Sequence, residues 1–187
     1  MGENLAEGAG RGDPANKSSL KFVFDSTPLI HLVKAGLAWM IEELEGEKYV
    51  VPSVYAEVVE ARKAKGFNDA LVSEELMRRG AMTVKKPSGG IVKLISAHKD
   101  IHPGEAEVIS LAKELKAVAI IDDPVARSIA DMHGVRKEGS HAVILRMLHD
   151  GKIKKDGAKE ALRKLVASGW RCEVELYERI LRAIEDF

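Results

Sequence analysis

Phe22-Val23-Phe24-Asp25-Ser26-Thr27-Pro28 is a short apolar run stopped by an acid, two hydroxyls and a proline. Aromatic and β-branched residues followed by such a stop predict a buried strand that turns directly into a helix. Asp25 then stands at the carboxyl end of a first parallel strand. In open α/β sheets ligands bind in the crevice at that edge, where loops and helix N-termini converge. A plainer role is open to Asp25 as well, as the residue that caps the helix entered through Thr27 and Pro28.

The same grammar recurs downstream. Tyr49-Val50-Val51 followed by Pro52-Ser53 predicts a second strand and helix, with Val54, Val58 and Ala61 as the buried stripe and Glu57 on its flank. Asn68 is placed to cap a helix through Leu71, Leu76 and Met77 that stops at Gly80, and Ala81-Met82-Thr83-Val84 to form a third strand. Lys85 to Gly90 reads as a loop, and residues 91–101 leave room for one helical turn. After His102-Pro103-Gly104, a helix carries Val108, Ile109, Ala112 and Leu115 inward. Glu105 shares that face by spacings of four and three. A Glu in a first turn is also an ordinary response to the helix dipole. Ala117-Val118-Ala119-Ile120-Ile121 is the most strand-like run, and it ends in Asp122-Asp123-Pro124. One acid suffices to cap the helix begun at Pro124, and two stand there. Val135 begins a short fifth strand, and Ser140 caps a helix through Val143, Ile144, Met147 and Leu148.

Three parts are expected in the 187 residues. Residues 1–19 lack apolar periodicity and read as a flexible leader. The α/β unit runs over 20–151, and residues 152–187 hold two amphipathic helices, about 156–167 and 173–184, packed on it because they are short for a core of their own. No apolar run approaches the roughly 20 residues of a membrane helix, and the amino terminus lacks a basic-then-apolar signal. A soluble, cytoplasmic protein with no membrane partner is expected. The lone Cys172 has no internal disulfide partner. Lys+Arg and Asp+Glu each total 29, so there is no global basic field, and any nucleic-acid binding must rest on local patches or on metal ions.

Asp25, Glu57, Glu105 and Asp122/Asp123 thus come from four segments that the topology delivers to one edge. Crowded carboxylates raise one another's pKa, and such a cluster normally persists around a cation. Oxygen ligands without His or Cys favour Mg²⁺ or Mn²⁺, ions that can activate water and stabilise a departing phosphodiester oxygen.

Val23-Phe24-Asp25-Ser26-Thr27-Pro28-Leu29-Ile30, Val51-Pro52 leading to Glu57-Val58, Gly104-Glu105-Ala106-Glu107, and Ile121-Asp122-Asp123 with Ala126-Arg127 resemble the successive acidic motifs of PIN domains. The nearest likeness is to the prokaryotic VapC-like branch, the toxin nucleases of VapBC toxin–antitoxin pairs, with a C-terminal extension through Gly169, Leu176, Tyr177 and Ile180. The resemblance implies a three-layer α/β/α sandwich with a central parallel sheet of four or five strands, and a Mg²⁺- or Mn²⁺-dependent ribonuclease site. It implies Asp25, Glu57, Glu105 and Asp123 as the four catalytic acids and metal ligands, with Asp122 an extra ligand and Ser26 the adjacent hydroxyl on the substrate side. Glu105 departs from the Asp common in the wider family. Arg127 could hold a phosphate or pair with an acid. Single-stranded RNA, a small antitoxin protein and a second copy of the chain are the partners it implies. Two other readings compete. One is a catalytically silent PIN-like module that binds RNA or a protein. The other is an aspartyl-phosphate phosphatase, weakened because Thr27 stands where that chemistry wants a second acid.

Overall fold

The computed structural model describes residues 20–187; the expected leader, 1–19, lies outside them. The elements in order are β1 (Lys21–Phe24), α1 (Ser26–Lys34), α2 (Ala38–Glu43), β2 (Glu47–Val50) and α3 (Pro52–Tyr55). A π-helical segment (Ala56–Ala61) continues α3 into α4 (Arg62–Ala64), followed by α5 (Asp69–Arg78), β3 (Thr83–Val84), α6 (Gly89–Ile95) and α7 (Pro103–Leu115). Then come β4 (Val118–Ile120), α8 (Pro124–Met132), β5 (Arg136–Glu138), α9 (His141–His149), α10 (Lys155–Ala167) and α11 (Val174–Asp186).

The five strands form one parallel sheet in the order β3-β2-β1-β4-β5. From β1 the chain steps outward to β2 and β3, then crosses back to β4 and on to β5. Because parallel crossovers are right-handed, this reversal sends the two runs of helices to opposite faces. Accordingly α1 packs with α5 and α10, and α2 with α9, while α7 packs on β1, β4 and α8. The expected α/β/α sandwich is what forms. Its switch point lies between β1 and β4, where Phe22, Val23 and Phe24 pair with Val118, Ala119 and Ile120. All six are buried, as strands covered on both faces must be. Helices α10 and α11 add Leu162, Leu165, Ile180 and Ile184 to the same core. Among the described residues no helix is long and apolar enough to cross a membrane.

Several local expectations are corrected. The third strand is only Thr83–Val84, both exposed at the sheet edge; Met82 is buried but outside the ladder. Gly89 and Gly90 open α6 instead of closing a loop. Val135 precedes β5, since its N–H turns back to Ala130 O at 2.9 Å. Leu71 is 55% exposed, and Ala70, Ser73 and Leu76 face inward instead. Asn68 and Ser140 occupy N-cap positions without side-chain cap bonds. Ala61 is exposed, and Val59 takes its place beside Val54 and Val58. The π segment is the cause: its wider turn advances the inward face by one position relative to an α-helix.

Candidate active site

Asp25 leaves β1 with its N–H donated to Ile120 O at 3.0 Å, so the first acid is tied to the last residue of β4. It is 3% exposed, and although it stands at the N-cap position of α1 its side chain makes no cap hydrogen bond. The plain capping role therefore does not account for it. Burial pushes its carboxyl up to about 7, opposed by the Ser26 backbone N–H and reinforced by the charges of Glu105, Glu57 and Asp122. Ser26 beside it is also buried.

Glu105 lies in the first turn of α7, 8% exposed, its Oε2 accepting the His102 N–H at 3.0 Å. Burial raises its pKa, the His102 N–H opposes this, and Asp123 and Glu57 add to it. Glu57 is exposed on the π-helical segment, yet its charge acts on both Asp25 and Glu105. Glu57 does not pair with the nearby Arg62. Arg62 instead forks onto Asp69, at 2.6 and 2.9 Å.

The two adjacent acids divide their work. Asp123 is the helix cap: its Oδ1 accepts from Val125 N and Ala126 N at 2.8 and 2.9 Å. Asp122 is held by Ser140, whose N–H donates to Oδ1 at 2.8 Å and whose hydroxyl donates to Oδ2. A Cβ on Gly139 would come within 3.0 Å of that Oδ1, so the backbone can approach so closely only because the residue is glycine. Asp122 repels Asp25, whereas Asp123 repels Glu105. Among the described residues Arg127 pairs with no acid; its Nη1 donates to Ile121 O at 2.9 Å.

The predicted acids therefore share one electrostatic neighbourhood at the switch point. Among the described residues no Lys or Arg forms an ion pair with Asp25, Glu57, Glu105, Asp122 or Asp123. Nor do three His, Cys, Asp or Glu side chains among those residues converge as a ready-made metal cage. Sequence reasoning missed Ser140 as the partner of Asp122, having read it as a cap. It also missed His31 and His141. Burial lowers the pKa of each, and Asp122 opposes this at both, joined at His141 by Glu138.

A family model described as PIN domain matches residues 21–186. The chain belongs to the PIN domain family. No curated protein matches it. PIN domains are generally nucleases that need a divalent metal, and they act on RNA. The donor chemistry of this PIN domain fits such an ion. The acids supply oxygen alone, the preference of hard divalent cations, and among the described residues no Lys or Arg pairs with the buried Asp25.

Proposed function

We propose that this PIN domain is an endoribonuclease that hydrolyses RNA phosphodiester bonds at a Mg²⁺ or Mn²⁺ site held by Asp25, Glu57, Glu105 and Asp123, with Asp122 beside them. One observation carries the reading: the buried Asp25 carboxyl lies in the field of three further acids from separate segments, and among the described residues none of them is ion-paired. A divalent ion, when bound, supplies Lewis-acid neutralisation of the phosphate and activation of water. The chain's own part is positioning. The β1 to β4 bond at Asp25 fixes the innermost carboxylate, the helix dipole and the His102 N–H orient Glu105, and burial keeps bulk water from screening either. In the metal-free protein burial pushes the Asp25 carboxyl up to about 7, so a bound divalent ion would have to displace its proton near neutrality. Ser26, buried beside Asp25, is the substrate-side hydroxyl that the motif resemblance implies.

The finer role follows from the motif resemblance: a VapC-like toxin, cytoplasmic and dimeric, restrained by a small antitoxin protein, with 20–151 as the catalytic unit and 152–187 as its packed extension. Growth arrest on expression in a bacterial host, relieved by Asp25→Asn, tests that role.

A silent PIN-like module is the second reading, and a specific observation favours it. Asp122 and Asp123 already spend oxygens on Ser140 and on the α8 N-terminus. Calorimetry with Mn²⁺ on the unaltered chain and on Asp25→Asn, beside cleavage of a mixed-sequence single-stranded RNA, separates the two. Binding and cutting by the unaltered chain, both lost in Asp25→Asn, supports the nuclease; metal retained with no cleavage supports the silent module.

A further inference from the structure

A groove of about 750 Å³ opens beside the acids, between α8 and the stretch that leads from Trp170 into α11. Asp122 lines it together with Arg127, Lys137, His141, Arg171 and Arg179. We propose that this groove carries the phosphate backbone of single-stranded RNA beyond the point of cleavage, with Arg127, Arg171 and Arg179 as its phosphate contacts. The choice of RNA as occupant rests on the ribonuclease reading.

The charge balance of the groove supports this. The chain as a whole is neutral, so a local excess of positive charge has to be assembled by the fold. Lys137 is matched by Asp131, which also lines the groove. Arg127, Arg171 and Arg179 are different: among the described residues no carboxylate pairs with any of them. Arg127 spends one N–H on Ile121 O and keeps the rest of its fork. Arg171 and Arg179 are exposed. Glu173 is the one lining acid besides Asp122 and the Asp131 that Lys137 matches.

The walls also act on a common point. His141 lies in the lining with its Nδ1 buried and without a hydrogen-bond partner. The charges of Arg127 and Arg179 both bear on that ring, one from α8 and the other from α11, as do those of Asp122 and Glu138. The groove therefore has more basic than acidic lining residues, and one of its acids, Asp122, also acts on Asp25. A nucleic acid strand needs such an arrangement: the acids at the cleavage point repel its backbone, and cations a nucleotide or two away restrain it. Grooves that track single strands use basic side chains in this way, mainly through phosphates. Arg is the better side chain for the purpose, since its planar fork can take two phosphate oxygens at once.

The test is fluorescence anisotropy with a labelled mixed-sequence 12-nucleotide RNA in EDTA, so that binding is read without cleavage. Arg171→Ala combined with Arg179→Ala is compared with Arg163→Ala combined with Arg182→Ala. The second pair removes the same charge from exposed sites outside the groove. Both sets are surface changes, and unchanged melting curves verify folding. The expected result is a Kd raised about tenfold or more in the groove variant only. Its salt slope falls by about 1.4, at about 0.7 for each single-strand phosphate no longer neutralised. Equal affinity and slope in the groove variant, an equal loss in the control, absence of RNA binding by the unaltered chain, or tighter binding of polyglutamate than of RNA overturns the proposal. Cleavage of the same RNA by the unaltered chain in Mn²⁺ is scored separately. Cutting with an unchanged groove variant removes the groove alone, whereas a binding loss without any cutting removes the nuclease reading and leaves the groove standing.

Discussion

Ser140 gives both of its donors to Asp122: the N–H to one carboxylate oxygen at 2.8 Å and the hydroxyl to the other. Ser140 is fully buried, and the pair links the end of β4 to the start of α9 across 18 residues. Losing the hydroxyl leaves Asp122 Oδ2 without its donor. Ser140→Ala is therefore expected to destabilise the fold by about 1–3 kcal/mol, the range for leaving a buried hydrogen-bonding group without its partner. Urea unfolding checks it, and a loss below about 0.5 kcal/mol, the scale of surface substitutions, contradicts the role given to the bond.

Asp25 sets the pH dependence of the metal-free protein. Its folded pKa, about 7, lies above the ordinary value of 3.8, so between those values the folded state binds the extra proton. Stability contributed by this group is present at the acid end of that window and is lost as pH rises toward 7, by up to a few kcal/mol. Asp25→Asn removes the titration and is expected to flatten this fall while abolishing cleavage. Melting curves from pH 4 to 8 in EDTA decide it, since an identical fall in the variant assigns the effect to another group.

Divalent metal should reverse the same trend. Adding Mn²⁺ at neutral pH is expected to raise the melting temperature of the unaltered chain and to have little effect on Asp25→Asn. At a free metal concentration of about 100 times Kd the linkage amounts to about 2.7 kcal/mol. EDTA should stop RNA cleavage, and Mg²⁺ or Mn²⁺ should restore it. Cleavage that persists after chelation excludes the metal site.

Asp123 allows structure and chemistry to be separated. Its cap bonds to Val125 N and Ala126 N can be kept by asparagine but not by alanine. Asp123→Ala is expected to cost about 1 kcal/mol of stability and Asp123→Asn a few tenths at most, an Asn cap being nearly as good as Asp. If the carboxylate charge serves the reaction, both lose cleavage alike. An active Asp123→Asn shows that Asp123 is only a cap and shifts the metal role to Asp122.

Glu105→Gln offers a parallel separation at the opposite wall. Its amide oxygen can still accept the His102 N–H, so the start of α7 should persist. Removing a buried charge that Asp123 and Glu57 repel should leave stability equal or higher. RNA cleavage is expected to fall at least 100-fold, a magnitude typical of losing a charged group that acts in the transition state. Retained cleavage with lower stability places Glu105 among the structural caps.

The sequence by itself determined the order of strands and helices and the acids that close them. Apolar runs such as Phe22–Phe24 and Val118–Ile120 can be buried on both faces only in a covered parallel sheet, and Asp25 ahead of Pro28 and Asp123 ahead of Pro124 mark the turns from these two strands into the next helices. Those patterns are local and survive any detail of packing. Tertiary structure alone decided which acid does what. Whether Asp122 or Asp123 caps α8 depends on donors that include Ser140, 18 residues away. The π-helical segment that buries Val59 in place of Ala61 has no marker in a pattern of apolar spacing. The basic groove is invisible in a chain of zero net charge, because Arg127, Arg171 and Arg179 meet only when α11 folds back beside α8. Hydrogen-bond partners and fields are set by distance in space, which sequence separation does not encode.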